Sequence, residues 1–235
     1  MTTPPRRDPW DLPDVEGVSL AVLGGTGPLG RGLARRFALA GHQVVLGSRD
    51  AARAQEAADA LRADSGRDDL PVRGAGNADA AQGADVVVVA VPWDAHEATL
   101  ADLVDALDGT VVVDAVNPLG FDEGGAFPLV VEDGSAAQQA ARLLPGSRVV
   151  GAFHHLSAVT LLDAEVESLD CDVMVVGDDR EATDLVQALC GRLPGARGVY
   201  VGKLRTAASV EGLTANLISS NRRYKAHAGL RVTDV

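Results

Sequence analysis

The feature that most constrains this chain is a glycine-rich turn that joins a short apolar run to a segment with helical periodicity. Residues 18–23 form the apolar run, and Gly25, Gly27 and Gly30 follow it in the arrangement GxGxxG. Leu33 and Phe37 then continue at helical spacing. Strand, glycine turn and helix in this order predict a dinucleotide-binding α/β unit. Its glycines permit a tight turn, close approach of the backbone to a pyrophosphate, and close packing of helix on strand.

The turn itself is the predicted binding site for the pyrophosphate. The N-terminus of the following helix presents free backbone amides and the positive end of the helix dipole, both of which favour an anion. Pro28 suits the first turn of a helix, because its missing amide is not needed there. The residues expected to bind the dinucleotide here are Gly25, Thr26, Gly27, Pro28, Leu29 and Gly30.

The end of the second strand predicts which dinucleotide is bound. Gly41 ends the first helix, and residues 43–46 form a second apolar run that should lie parallel to the first. Enzymes that use NAD usually carry an acidic residue after this strand, whereas this chain has Ser48 and Arg49. An arginine beside a small hydroxyl accommodates a 2′-phosphate, and Thr26 could add a second hydroxyl. The pattern favours NADP(H); alternatively, Arg49 is only a solvated residue that starts the next helix.

Two further strands predict the rest of the crevice. Residues 85–91 are a nearly continuous valine run, typical of a parallel strand buried on both faces, and residues 110–114 form another such strand. Ligands of parallel sheets bind at the carboxyl ends of the strands. The residues expected to line the cofactor crevice are therefore Val91, Pro92, Trp93, Ala115 and Asn117. Trp93 has an alternative role as a cover over the core.

The alternation of strands and helices predicts an α/β protein with a Rossmann-type doubly wound parallel sheet and a small C-terminal α+β domain. Residues 1–17 contain four prolines among charges, which predicts a flexible tail. Residues 18–153 would form the NADP(H)-binding domain and residues 154–235 the C-terminal domain. Residues 120–134 predict a loop rich in glycine and acidic residues, which is a candidate lid or insertion. The wide apolar face of a helix over residues 209–220 predicts a homodimer packed through the C-terminal region.

Composition restricts the partners and the location. The net charge is −12, which argues against general binding of nucleic acid or of an anionic membrane. Cys171 and Cys190 fit neither a metal motif nor a disulfide framework. No segment reaches the roughly 18 to 20 apolar residues of a transmembrane helix. We expect a cytoplasmic protein with no metal site.

Four motifs together resemble one enzyme family. They are the turn at residues 24–30, Gly47-Ser48-Arg49, Val91-Pro92-Trp93 and Ala152-Phe153-His154-His155-Leu156, in the family's order and at similar spacing. Across about residues 18–220 the chain resembles the F420-dependent NADP reductases. The resemblance implies reversible hydride transfer between NADP(H) and the 5-deazaflavin coenzyme F420, with the two reacting rings stacked face to face. It also implies that His154 and Leu156 line the deazaflavin pocket.

Other interpretations stay open. His154 could be a hydrogen-bonded histidine of the core. The chain could be an NADP-dependent reductase of the 6-phosphogluconate dehydrogenase-like or pyrroline-carboxylate reductase type, although the residues after His154 leave little room for the larger helical domain of those enzymes. It could also be a non-catalytic NADP(H)-sensing module. The basic residues near the C-terminus either bind the acidic tail of F420 or are simply solvated; they are Arg205, Arg222, Arg223 and Lys225.

No catalytic side chain is predicted. The sequence offers no catalytic lysine, no nucleophile paired with a base and no metal cluster. A hydride that passes directly between two cofactors needs orientation and exclusion of water from the protein, while the cofactors supply the chemistry.

Overall fold

The computed structural model describes residues 8–235, so residues 1–7 of the predicted tail lie outside the described part. The strands are β1 Leu20–Leu23, β2 Val44–Ser48, β3 Val72–Gly76, β4 Val86–Val89, β5 Val111–Asp114, β6 Leu119–Asp122, β7 Gly125–Pro128, β8 Arg148–Gly151, β9 Cys171–Gly177 and β10 Ala196–Gly202. The α-helices are α1 Pro28–Leu39, α2 Ala51–Ser65, α3 Asn77–Ala81, α4 Trp93–Ala101, α5 Ala136–Leu143, α6 Ala158–Leu162, α7 Arg180–Cys190 and α8 Ala207–Tyr224. Short 3₁₀ turns lie at Asp105–Leu107 and Leu204–Thr206.

An eight-stranded sheet forms the centre of the fold, in the order β10-β9-β8-β5-β4-β1-β2-β3. Every neighbouring pair is parallel except β8 and β9, which are antiparallel. The chain order reverses between β1 and β4, where the strand connections leave a crevice at the carboxyl ends. This sheet, with its helices, confirms the predicted Rossmann-type α/β fold.

The valine strand β4 shows why these residues form a central strand. Val86 and Val88 belong to one buried cluster, together with Leu33 and Phe37 of α1. Val87 belongs to a second cluster on the other face of the sheet. Successive side chains of a strand point to opposite faces, so a strand covered on both faces must be apolar at every position.

The C-terminal strands β9 and β10 continue this same sheet beyond β8. The predicted boundary between residues 153 and 154 therefore falls within a continuous sheet, and the division into domains stays a prediction. Of the tail, residues 8–17 form neither helix nor strand. The Arg197 guanidinium lies 5.2 Å from the centre of the Trp10 ring, which attaches that part of the tail to β10.

Helix α4 has Pro92 as its N-cap, without a side-chain bond, and it ends at Ala101. Two local features differ from the predictions. The expected loop over residues 120–134 contains the antiparallel hairpin β6–β7. Helices α3 and α6 were not predicted, because five residues are too few to show a helical period. None of the helices in residues 8–235 combines the length and the apolar character needed to cross a bilayer.

Candidate functional site

The glycine turn after β1 is held together by close backbone contacts. A Cβ at Gly25 would lie 2.6 Å from the Leu46 side chain, and one at Gly30 would lie 2.7 Å from the Gly24 carbonyl oxygen. A Cβ at Gly27 would meet only the Gly24 oxygen, at 3.3 Å. The first two glycines are therefore required for packing, whereas the space over Gly27 is open on the side where a pyrophosphate would approach.

The N-terminus of α1 fits an anion. Gly27 is the N-cap residue and makes no side-chain cap, and Pro28 occupies the first turn. The first intrahelical bond runs from the Arg31 amide to the Gly27 carbonyl at 2.9 Å. The amides of Leu29 and Gly30 precede that bond and have no carbonyl of their own helix to donate to. This cradle fits the pyrophosphate of a dinucleotide.

Ser48 and Arg49 lie together in a cleft of about 580 Å³. The Ser48 hydroxyl accepts a hydrogen bond from the Asp50 amide at 3.2 Å, which fixes it at the end of β2. Arg49 is exposed, and among residues 8–235 its guanidinium makes no ion pair. Helices α3 and α4 supply the opposite wall of the cleft, with Asn77, Asp79, Asp94 and Asp102 among its polar residues. Within residues 8–235, Arg49 is the one cation that lines this largely acidic cleft, and it would bind a 2′-phosphate there.

The residues after β4 and β5 lie at the carboxyl edge of the sheet, as predicted. Val91 and Ala115 are buried, and Pro92 begins α4. Trp93 packs partly on the core, with its ring centre 5.4 Å from that of His96. The packing agrees with the alternative interpretation of Trp93 as a cover, and its side chain stays partly exposed.

A second cleft, of about 600 Å³, joins the glycine turn to the C-terminal segment. Its wall includes Leu29 from the turn, Asn117 after β5, and His154 and Leu156 after β8. The C-terminal helix α8 closes the other side with Thr214, Leu217, Ile218 and Asn221, followed by Lys225. The tertiary structure thus brings into one cleft four candidate cofactor-binding residues that are far apart in the sequence, namely Leu29, Asn117, His154 and Leu156.

The imidazole ring of His154 has unusual surroundings in this wall. Its side chain is buried, yet neither ring nitrogen has a hydrogen-bond partner in the part of the chain that the structure describes. Burial, together with the neighbouring His155, lowers the pKa of His154 to about 4 and outweighs the opposing effect of Asp114. The ring is therefore neutral at pH 7. A core histidine satisfied by the surrounding protein would have partners, so these two nitrogens leave room for bonds to a ligand.

The backbone of His154 is held firmly, in contrast to its ring. The Asn117 side-chain amide donates to the His154 carbonyl at 2.8 Å, and the Thr214 hydroxyl donates to the same oxygen at 3.0 Å. Phe153 just before it has a φ of 66°, a left-handed conformation that turns the chain out of β8. His155 accepts a bond from the Met174 amide at 3.2 Å. No group of three potential metal ligands occurs among residues 8–235.

A buried polar network beside the two clefts was missed by the sequence analysis. His96 Nε2 lies 2.6 Å from Asp114 Oδ2, and His96 Nδ1 lies 2.8 Å from Gln139 Oε1. Burial opposes protonation of His96, but Asp114 and Gln139 outweigh it, so the pKa of His96 is raised. Glu211 of α8 lies next to this network and is also buried. An acidic residue directly after three valines of a buried strand, as Asp114 is, was the available signal.

Comparison with known proteins identifies the family. The model of the family "NADP oxidoreductase coenzyme F420-dependent" matches residues 19–118. A protein of Methanothermobacter thermautotrophicus named F420-dependent NADP reductase is 42% identical over 223 residues, which covers 93% of this chain and 96% of that protein. This chain belongs to the F420-dependent NADP reductase family. The relatives therefore confirm the resemblance carried by the four sequence motifs.

Solved structures agree with this family membership. A crystal structure of a protein from Arthrobacter sp. FB24, described as a candidate F420-dependent NADP reductase, is 27% identical in sequence, with a TM-score of 0.75. The match covers 92% of this chain and 100% of the Arthrobacter chain. A pyrroline-5-carboxylate reductase of Coxiella burnetii has a TM-score of 0.58 at 15% identity. This chain covers 69% of that second protein, and the likeness shows a shared fold only.

Proposed function

We propose that this member of the F420-dependent NADP reductase family transfers a hydride reversibly between NADP(H) and the 5-deazaflavin coenzyme F420. The observation that carries the proposal is that one cleft of about 600 Å³ joins Leu29 of the glycine turn to His154 and Leu156. Two ring systems stacked face to face in such a cleft can react directly. The relatives named F420-dependent NADP reductase support the choice of the two substrates.

The NADP(H) site that we propose extends over both clefts. The turn from Gly25 to Gly30, including Thr26 and Pro28, would bind the pyrophosphate, and Ser48 and Arg49 the 2′-phosphate. The nicotinamide would lie at the carboxyl ends of β4 and β5, against Val91, Pro92, Trp93, Ala115 and Asn117. His154 and Leu156, in the segment after residue 153 that we assign to the C-terminal domain, would border the deazaflavin.

The two bound substrates supply the redox chemistry, which is hydride transfer between a nicotinamide and a deazaflavin carbon. The task of the protein is then to hold the rings in contact and to keep water out. Leu29, Leu156 and Leu217 provide apolar surface for this purpose in the cleft. Neutral His154 can bond to a ring without bringing a charge that would bias the transfer.

The test is the absorbance of purified F420 mixed with the protein and NADPH, with NADH as the matched control. Loss of the visible deazaflavin band with NADPH, and its return with NADP⁺ and reduced F420, are the expected results. Tight binding of NADPH without any turnover would instead favour the sensing module. Turnover of a cyclic imine in place of F420 would favour the pyrroline-carboxylate reductase type.

We also propose that the protein is a cytoplasmic homodimer. The hairpin β6–β7 packs on α8, and exposed apolar side chains project from this region, namely Phe121, Phe127, Leu129 and Val130. Such a patch is typical of a protein interface. The free, buried thiols of Cys171 and Cys190 suit a reducing compartment. Light scattering at micromolar concentration should return twice the chain mass of 24.2 kDa, and a monomer mass would refute the dimer.

A further inference from the structure

Glu211 connects the C-terminal helix to the rest of the protein through a buried contact. Its side chain is 2% exposed, and its two carboxylate oxygens accept hydrogen bonds from the amides of Ala136 and Ala137 at 3.0 and 3.1 Å. Both amides are in the first turn of α5, where no intrahelical carbonyl can accept them. A single carboxylate thus satisfies two buried donors and fixes the position of α8 against α5.

The same face of α8 reaches the wall of the second cleft. Thr214 lies three residues after Glu211, so the two side chains project from neighbouring turns on one side of the helix. Thr214 donates to the His154 carbonyl at 3.0 Å, and the Asn117 side-chain amide donates to the same oxygen at 2.8 Å. A shift of α8 would therefore move one of the two bonds that hold His154.

We propose that Glu211 is a positioning residue for the deazaflavin side of the cleft, where it ties α8 to α5 and so holds Thr214 and His154 in the wall. The proposal rests on the proposed function, because it assigns that wall to F420. Glu211 lines neither of the two clefts, and it acts only through α8.

The charges around Glu211 make this tie sensitive to pH. Burial, aided by Asp114 of β5, raises the pKa of Glu211 to about 7, against the effect of the two amide bonds and of His96 of α4. Three other elements pack on α8, namely β7, α5 and the adjoining 3₁₀ turn. Strand β7 carries no titratable side chain. Helix α5 carries Arg142, which is bound to Asp133 and Glu97, and the 3₁₀ turn carries the exposed Arg205.

Protonation should weaken the contact. The ionised carboxylate has two acceptor oxygens for two amides, whereas the protonated group uses one oxygen to carry the proton. Below about pH 7 we therefore expect α8 to be held less tightly on α5, and the deazaflavin wall to lose its shape before the NADP(H) turn does.

The experiment compares the wild type with Glu211→Gln, which keeps the size of the side chain but offers one acceptor oxygen at every pH. Dissociation constants for F420 and for NADPH are measured at pH 6 and pH 8 by fluorescence. Exchange of the Ala136 and Ala137 amides is followed by NMR. Glu181→Gln, at an exposed glutamate in the first turn of α7, is the matched control for the loss of a charge.

For the wild type we expect F420 to bind about tenfold more weakly at pH 6 than at pH 8, as for the loss of one hydrogen bond. At each pH the NADPH affinity should be the same in all three proteins, because titration of the NADPH 2′-phosphate affects them alike. Glu211→Gln should bind F420 at pH 8 as weakly as the wild type does at pH 6. Its Ala136 and Ala137 amides should exchange faster than those of the wild type. Its F420 affinity should lack the part of the pH dependence that comes from titration of Glu211. Titration of F420 itself affects the wild type, Glu211→Gln and Glu181→Gln alike. The decisive result is therefore the difference among these proteins in how F420 affinity changes between pH 6 and pH 8.

Two results would overturn the role of Glu211. One is a Glu211→Gln variant with wild-type F420 affinity at both pH values, and the other is an equal loss of NADPH and F420 affinity. If the wild type binds NADPH but no F420 at pH 8, the proposed function is refuted as well. The wild-type measurement alone therefore separates failure of the proposed function from failure of the role of Glu211.

Discussion

Alanine at Gly27 and alanine at Gly30 should have opposite consequences for stability and binding. At Gly30 the added methyl would lie 2.7 Å from the Gly24 carbonyl oxygen and 2.9 Å from the Gly25 Cα, and neither backbone atom can move without opening the turn. Overpacking of this kind costs about 1–3 kcal/mol, and the gain from replacing a helical glycine returns about 0.5–1 kcal/mol. From the middle of these ranges we expect a net loss of about 1 kcal/mol, and at most about 2.5 kcal/mol, with Tm lowered by about 2–4 °C for each kcal/mol in a chain of this size.

At Gly27 the same methyl has room in the free protein. The backbone there has φ −77° and ψ 162°, which alanine adopts without strain, and the methyl would meet only one atom, at 3.3 Å. The unfolding free energy should change by no more than about 0.5 kcal/mol. A bound pyrophosphate, however, would be displaced from the amides of α1. Loss of one charge-assisted bond of about 1.5–3 kcal/mol weakens NADPH binding by roughly 10- to 150-fold.

Calorimetric Tm and the dissociation constant for NADPH, measured on both variants, test the reasoning. Gly27→Ala with unchanged Tm and weak NADPH binding, beside Gly30→Ala with a lowered Tm, is the expected pair of results. If Gly27→Ala binds NADPH as the wild type does, the pyrophosphate does not lie on this turn. If Gly30→Ala is as stable as the wild type, the backbone of Gly24 and Gly25 can move away from the added methyl at little cost.

Three further predictions concern the charged groups. Arg49→Ala should raise the KM for NADPH by about 10- to 100-fold and leave the KM for NADH nearly unchanged, and an equal loss for both would contradict binding of the 2′-phosphate. If Arg222 and Arg223 attract the acidic tail of F420, replacing both by alanine should flatten the rise of the F420 KM with salt but leave NADPH affinity intact; an unchanged slope would assign them to solvation. Burial lowers the pKa of His155 to about 4, whereas its pKa in the unfolded chain is about 6.5. Between these two values the unfolded chain takes up a proton that the folded protein does not. The stability that neutral His155 contributes above pH 6.5 is therefore lost as the pH falls toward 4. In urea titrations at several pH values, His155→Gln should reduce the loss of unfolding free energy between pH 6.5 and pH 4 by about 3 kcal/mol. An unaltered dependence of the unfolding free energy on pH would show that His155 is not buried in its neutral form.

Local and periodic features made most of the fold predictable. The valines of β4, the helical spacing of Leu33 and Phe37, and the glycines of the turn each report their environment within a few residues of sequence. The positions of Ser48 at the end of β2 and of Arg49 directly after it were also predictable, because ligands of parallel sheets bind at the carboxyl ends of the strands. The hairpin β6–β7 was missed, since its short glycine-rich strands lack a clear alternation of apolar and polar residues.

The buried polar contacts depended on the tertiary structure. Glu211 and the Ala136 amide are separated by 75 positions in the chain, and His96 and Gln139 by 43. In the sequence, Glu211 is a charged residue on an amphipathic helix, which usually means exposure to solvent. Only the packing of α8 on α5 removes water from it, and only that packing gives it two backbone donors.

The sequence by itself determined the sheet, the glycine turn and the residues that follow each strand, because these depend on local backbone preferences and on which faces must avoid water. It did not determine that Leu29, Asn117 and His154 share one cleft with α8. That arrangement follows from the antiparallel step between β8 and β9 and from the return of α8 to the carboxyl edge of the sheet. Such long-range pairings are decided by the total burial and hydrogen bonding of the folded chain, which no short stretch of sequence encodes.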